Sequence, residues 1–277
     1  KKLNKLIGSL YITSQMYLSD WKQINFSDFQ KKFTNLFNNL DAKKLINSNQ
    51  DKKKIKVGFC SPDFNKSHSI SYFIKNLIKD LKKTKFETVA LSLLKINQHD
   101  ETTEYFKKLF DHWINLGDKS DQEIVNTIQN SKIDILIDLA GLWSANRANI
   151  FNTRMCPLQI NWLGYNNTSG FKEIDFLLAD TNTTQDEEKD YGTQIYKLPK
   201  IWNAHCGFEH KRIYNELPYK RNGYLTFGSL NNFMKINDEV LNTWIKILKK
   251  VKKSKIILKS SLYICEEVLR KKFIEEG

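Results

Sequence analysis

The chain has 277 residues, long for a single ordinary core, and with 40% hydrophobic and 12% aromatic residues it has enough apolar surface to pack, which excludes wholesale disorder. Its 44 Lys and Arg against 31 acidic residues give a net charge of +13. The basic residues are dispersed among Asn and Ile with no aromatic–basic stacking motif, so charge alone does not define a nucleic-acid binder.

Residues 1–50 read as helical. Leu3, Leu6, Ile7 and Leu10 form an i, i+3, i+4, i+7 stripe, and Phe29, Phe33, Phe37 and Leu40 form a second. The start, Lys1-Lys2, has neither an initiator Met nor the apolar centre of a signal peptide. Nowhere does the chain approach the ~18 uncharged apolar residues of a membrane crossing. A piece of a longer, cytoplasmic protein is the expectation. Asn47 to Lys54 is polar and reads as a linker.

From Ile55 the pattern changes. Ile55 to Cys60 is a short β-branched run expected as a strand, followed by a polar loop and a helical stripe through Phe73, Leu77, Ile78 and Leu81. Phe86 to Leu94 reads as a strand, and 101–111 and 120–131 as helices. Ile133 to Leu139 is nearly continuous apolar sequence, as in a strand buried on both faces of a parallel sheet. Leu158 to Leu163 and Ile174 to Ala179 are further strands. This alternation predicts an open α/β sheet over residues 55–200. Residues 201–222 lack periodicity and read as a connection. Tyr224 to Ser229 then opens a second β–loop–α unit. Its helix starts near Asp238 and ends in the lysine cluster 249–253, where positive charge complements the helix dipole. A strand at Lys255 to Lys259 and a helix over 262–276 complete about half of a doubly wound lobe, so the second lobe, 223–277, is expected to be incomplete.

Ligands of open α/β sheets sit beyond the carboxyl ends of the strands, so the loops after the strands carry the candidate chemistry. After the first strand, His68 precedes a helix start; it could bond a substrate hydroxyl or phosphate or act as a base, or simply cap the helix. Asp138 ends the most apolar strand, where a carboxylate is costly unless paired or used; capping the next turn or pairing with Arg147 is the plainer alternative. Gly164, Tyr165, Thr168 and Gly170 belong to a backbone-rich loop that is either ligand-facing or a simple turn, and it is not a dinucleotide fingerprint. Asn231, Asn232 and Lys235 follow the first strand of the second unit, where a Lys at a helix N-terminus suits a diphosphate, unless it is an ordinary surface lysine. The cysteines Cys60, Cys156, Cys206 and Cys265 form no CxxC pair and read as reduced structural thiols. No motif supports metal or serine-hydrolase chemistry.

These four loops, in this order, resemble the catalytic region of the O-linked N-acetylglucosaminyltransferases and SPINDLY proteins, glycosyltransferase family 41. The resemblance rests on Ser61-Pro-Asp-Phe with His68, the block from Asp134 through Gly141, Arg147, Arg154, Pro157-Leu-Gln159 and Trp162 to Gly170, and Thr226 to Ile236. It covers residue 55 to about 276. It implies an α/β fold of GT-B type, with an acceptor-side Rossmann-like lobe and the beginning of a donor-side lobe, after helices that follow a tetratricopeptide (TPR) array. It further implies inverting, metal-free transfer of GlcNAc from UDP-GlcNAc to Ser or Thr hydroxyls of proteins. By the same resemblance Lys235 holds the donor diphosphate, Asn232 lies near the nucleotide, and His68 and Asp138 are candidates for taking the acceptor proton. The chain departs from the pattern at Leu142-Trp143, Met155-Cys156 and Asn166-Asn167, and differences in acceptor geometry and donor choice are expected there. Alternatives are O-fucosyl transfer from GDP-fucose and a non-catalytic protein-binding fragment.

Overall fold

A computed structural model describes residues 10–11, 13–14, 17, 33–35, 37, 40–43, 54–144, 147–165, 167–184, 193–208, 215–259 and 263–275. Leu3, Leu6, Ile7, Phe29, almost all of the predicted linker and Asn166 lie outside them. The chain divides into two compact units, residues 1–16 with 22–207, and 17–21 with 208–277.

The first unit is built on a seven-stranded, wholly parallel sheet. Its strands are β1 (Ile55–Ser61), β2 (Phe86–Ser92), β3 (His112–Asn115), β4 (Ile135–Asp138), β5 (Leu158–Asn161), β6 (Phe176–Asp180) and β7 (Gln194–Leu198), in the order β3-β2-β1-β4-β5-β6-β7. The helices are α1 (Ile70–Leu81), α2 (Glu101–Leu109) and α3 (Asp121–Asn130). Alternate strand residues serve opposite faces. Val57, Phe59 and Ile137 pack with Ile70, Ile74 and Ile78 of α1 and with Phe106 of α2. Cys60 and Leu136 pack with Ile124, Val125 and Ile128 of α3 and with Phe33 and Phe37 from the predicted second stripe. Ile74 and Ile78 are wholly buried, each worth about 1.5–3 kcal/mol of transfer free energy. Capping boxes start α2 (Asp100 with Thr103) and α3 (Ser120 with Glu123).

The sequence reading places five of the seven strands and misses β3 and β7. Both are edge strands, short and half exposed, so neither carries the apolar run that marks the centre of the sheet. Several predicted ends also run long: β2 stops at Ser92, not Leu94, and β5 at Asn161, not Leu163.

In the second unit β8 (Leu225–Ser229) pairs in parallel with β9 (Ser254–Leu258). A short helix, α4 (Pro218–Asn222), lies in the stretch read as a connection and ends on Gly223, which adopts φ 71°. Asn237 caps α5 (Asp238–Lys250) by accepting from the Val240 amide at 2.9 Å, and α6 (Tyr263–Glu275) follows. Lys272 of α6 pairs with Asp238 of α5. Among the described residues no helix is long and apolar enough to cross a membrane.

Candidate active site

The strand order of the first unit reverses between β1 and β4: β1 leads outward to β2 and β4 leads the other way to β5. At such a switch point the loops leaving the two strands diverge and open a crevice at the carboxyl edge of the sheet. His68 follows β1 and Asp138 ends β4, so the topology puts both predicted residues on the segments that flank this switch point.

The loop after β1 is pinned from several sides. Phe64 is wholly buried and meets the rings of Phe106, Phe110 and Trp113 at centroid distances of 5.8, 5.7 and 5.4 Å. The Asp63 amide donates to Ser61 Oγ at 3.0 Å, the Lys66 amide to the α2 cap Asp100 at 2.9 Å, and Ser71 Oγ to the Asn65 carbonyl at 2.8 Å. This anchoring presents His68 just before α1 with its side chain 44% exposed. Its Nδ1 lies 3.7 Å from Asp63 Oδ2 and accepts a long contact from the Ile70 amide at 3.4 Å. Burial raises the Asp63 carboxyl above its ordinary range, and the positive charge of a protonated His68 opposes that rise.

Asp138 is 3% exposed and fully engaged. It accepts from the Ala140 amide at 2.9 Å, from the Gly141 amide at 3.1 Å on both oxygens, and from Asn161 Nδ2 at 2.8 Å. Burial pushes its carboxyl up to about 6; those hydrogen bonds oppose the rise and nearby Asp63 adds to it. Arg147 is not its partner. That guanidinium donates to Asp121 at 2.7 Å, where α3 begins, and to the Gly117 carbonyl at 3.1 Å. Of the plainer alternatives, capping the turn is therefore the one present. Cys60, beside Asp138 in the sheet register, is held well above the usual thiol range by burial first and by the Asp138 charge second.

In the loop after β5, Thr168 Oγ1 is 2.6 Å from Thr193 Oγ1 and accepts from the Gly170 amide at 3.0 Å. Tyr165 is only 3% exposed, its ring in the core and its hydroxyl buried without a hydrogen-bond partner. Gly164 lies against the backbone, an added Cβ falling 2.1 Å from the Leu139 carbonyl oxygen. In this loop Thr168 and Tyr165 face inward, so a ligand here would meet mainly backbone. Asn161 and Ser169, which the sequence reading did not single out, belong to this site: Ser169 Oγ donates to Asn161 Oδ1 at 2.9 Å. The available signal was that Asn161, like Asp138, is a polar residue closing an apolar strand.

In the second unit the loop after β8 turns through Asn231 and Asn232, whose Oδ1 caps a 3₁₀ turn, Phe233–Lys235, by accepting from the Met234 amide at 3.0 Å. Lys235 ends that turn and is exposed, two residues before the Asn237 cap of α5. Among the described residues no group of three or more His, Cys, Asp or Glu is placed to hold a metal.

A doubly wound parallel lobe with its polar loops gathered at the switch point defines an α/β protein whose ligand-facing loops lie at the carboxyl edge of the sheet. The sequence pattern of glycosyl transferase family 41 matches residues 35–222, and the chain belongs to that family. It is 28% identical over 232 residues to the SPINDLY protein of Arabidopsis thaliana, covering 82% of this chain and 25% of that one. That protein is named as a probable UDP-N-acetylglucosamine–peptide N-acetylglucosaminyltransferase. The similarly named SEC protein of the same plant is 26% identical over 219 residues, covering 74% of this chain and 22% of its own length. An O-GlcNAc transferase of Thermobaculum terrenum, solved as a mutant, shares the fold with a TM-score of 0.85 at 19% identity, over 99% of this chain and 52% of that one. The fold class, α/β of GT-B type, is the one expected. The chain spans about a quarter of the length of the curated relatives it matches.

Proposed function

We propose that the protein to which this chain belongs transfers GlcNAc from UDP-GlcNAc to Ser or Thr hydroxyls of cytoplasmic proteins, with inversion and without a metal. The observation that carries the reading is the placement of His68 and Asp138 on the segments that flank the switch point, in a chain whose relatives are named as peptide N-acetylglucosaminyltransferases. The two residues differ in what they can do. Asp138 is buried, and three N–H donors occupy its oxygens, so it holds the loop in place. The half-exposed His68 has Nδ1 turned to Asp63 and accepting from the Ile70 amide, so in the neutral ring Nε2–H is the donor that meets the acceptor hydroxyl oxygen. Lys235, exposed ahead of a capped helix, supplies positive charge to the leaving diphosphate, with Asn231 and Asn232 alongside the nucleotide.

Titration calorimetry with UDP and GDP, on this chain and on one extended through a whole second lobe, tests the donor. UDP binding by the extended protein and an N-acetylhexosamine mass increment on a protein acceptor are the expected results. GDP preference with a deoxyhexose increment would replace this reading with fucosyl transfer. In the extended protein, Lys235→Ala is expected to lower turnover by ~100-fold or more, as loss of a charged transition-state contact does, with the thermal midpoint unchanged. Undiminished turnover would remove Lys235 from the diphosphate site.

A further inference from the structure

Asp138 and Asn161 are direct partners in the parallel register of β4 and β5, each the last residue of its strand. Asn161 is 3% exposed and Ser169 1%. The amide of Asn161 is used at both ends: Nδ2 donates to Asp138 Oδ2 at 2.8 Å, and Oδ1 accepts from Ser169 Oγ at 2.9 Å. The other face of Asp138 takes the Ala140 and Gly141 amides. One buried chain of hydrogen bonds thus runs from the loop after β4, through the carboxylate and the amide, into the loop after β5.

We propose that Asn161 is a positioning residue that clasps these two crevice loops together, so that they hold one joint geometry only while Asp138 is ionised. A proton on Asp138 Oδ2 sets an O–H donor against the Nδ2–H donor of Asn161. The amide must then turn over, Ser169 Oγ must accept where it donated, and its buried proton is left unpaired. The charged and titratable groups around Asp138 come from other elements: Cys60 in β1, Asp63 in the loop after it, and Arg147, which is engaged with Asp121 and the Gly117 carbonyl. On the β5 side the contact is the neutral amide alone. Burial places the carboxyl near 6, so the clasp opens in mildly acidic solution.

The functional weight of the clasp rests on the proposed reading of these loops as ligand-facing. The test does not, because hydrogen exchange reads the coupling without any transfer reaction. Exchange of the 277-residue chain is followed by mass spectrometry from pH 5 to 8, corrected for intrinsic amide rates. Peptides covering Ala140 and Gly141 and peptides covering Thr168 to Gly170 are expected to lose protection together, with one midpoint near 6. Asn161→Ala is expected to speed exchange in both sets by ~tenfold at pH 7, the effect of one lost buried hydrogen bond. It should also move the remaining midpoint upward and leave α1 as in the wild type. Should Asn161→Ala not fold, Ser169→Ala uncouples the loops: the pH step persists at Ala140 and Gly141 and vanishes at Thr168 to Gly170. Separate midpoints in the wild type, an Asn161→Ala effect confined to the β5 loop, or a step that survives at both loops in Ser169→Ala would overturn the proposal.

Discussion

Asp138 is kept ionised against its surroundings. A carboxyl raised from 3.8 to about 6 costs about 3 kcal/mol of folding free energy at neutral pH. Because the folded value is the higher one, this stability is fully present below pH 3.8 and is lost as pH rises through about 6. Asp138→Asn removes the charge and keeps an acceptor for the Ala140 and Gly141 amides, while its Nδ2–H meets the Asn161 Nδ2 donor and opens the clasp as a proton would, a cost smaller than or equal to the charge relieved. Its denaturant midpoint is expected to match or exceed that of the wild type at pH 7. Its advantage over the wild type should grow between pH 4 and 7 by up to about 3 kcal/mol. A variant less stable than the wild type at pH 7 would show the charge to be structural. The unease of this residue was readable from sequence, as a carboxylate ending an apolar run. Its partners were not. Arg147 stands 9 positions from Asp138 but pairs with Asp121, 26 positions upstream, because the start of α3 lies beside the turn that carries Arg147. Asn161 meets Asp138 through strand register, which no local spacing reveals.

At the scale of elements, the central strands were readable because burial on both faces makes them continuous apolar runs. The helices were readable from their stripes. Edge strands and 3₁₀ turns leave no such trace. The loops after β4 and β5 meet at two glycines. Gly141 adopts φ 55°, and an added Cβ there falls 2.6 Å from Tyr165 Cβ. Gly164 sits closer still, with the Leu139 carbonyl oxygen 2.1 Å from the same construction. Backbone cannot yield as a flexible side chain does, so Gly164→Ala is expected to lower stability by ~3 kcal/mol or more. Chemical denaturation measures this, and a loss below about 1 kcal/mol would mean that the two loops separate easily. The sequence reading chose Gly164 for close approach to a ligand; what it approaches in this structure is the neighbouring loop.

At the scale of the molecule, the two units differ in how well they cover themselves. The seven-stranded sheet is packed on both faces. Among its described residues the second unit has two strands, and Leu225, Leu230, Met234, Ile257 and Val268 are each 40% or more exposed. Two strands alone are marginal in water. Hydrogen exchange of the chain is therefore expected to show β8 and β9 opening at lower free energy than β1 and β4. Equal protection of the two sheets would mean that they open as one cooperative body. The end of the first unit, at Gly207, did not follow from counting predicted elements, because the stretch read as a connection has no periodicity to mark it.

Leu142, Met155 and Cys156, three of the residues at which the chain departs from the family pattern, are each 1% exposed and share one buried cluster with Tyr165. A close-packed interior feels each change in volume at the neighbouring positions. A change of volume at any one of the three is thus expected to be felt at the other two and at Tyr165, and through Tyr165 at the loop after β5.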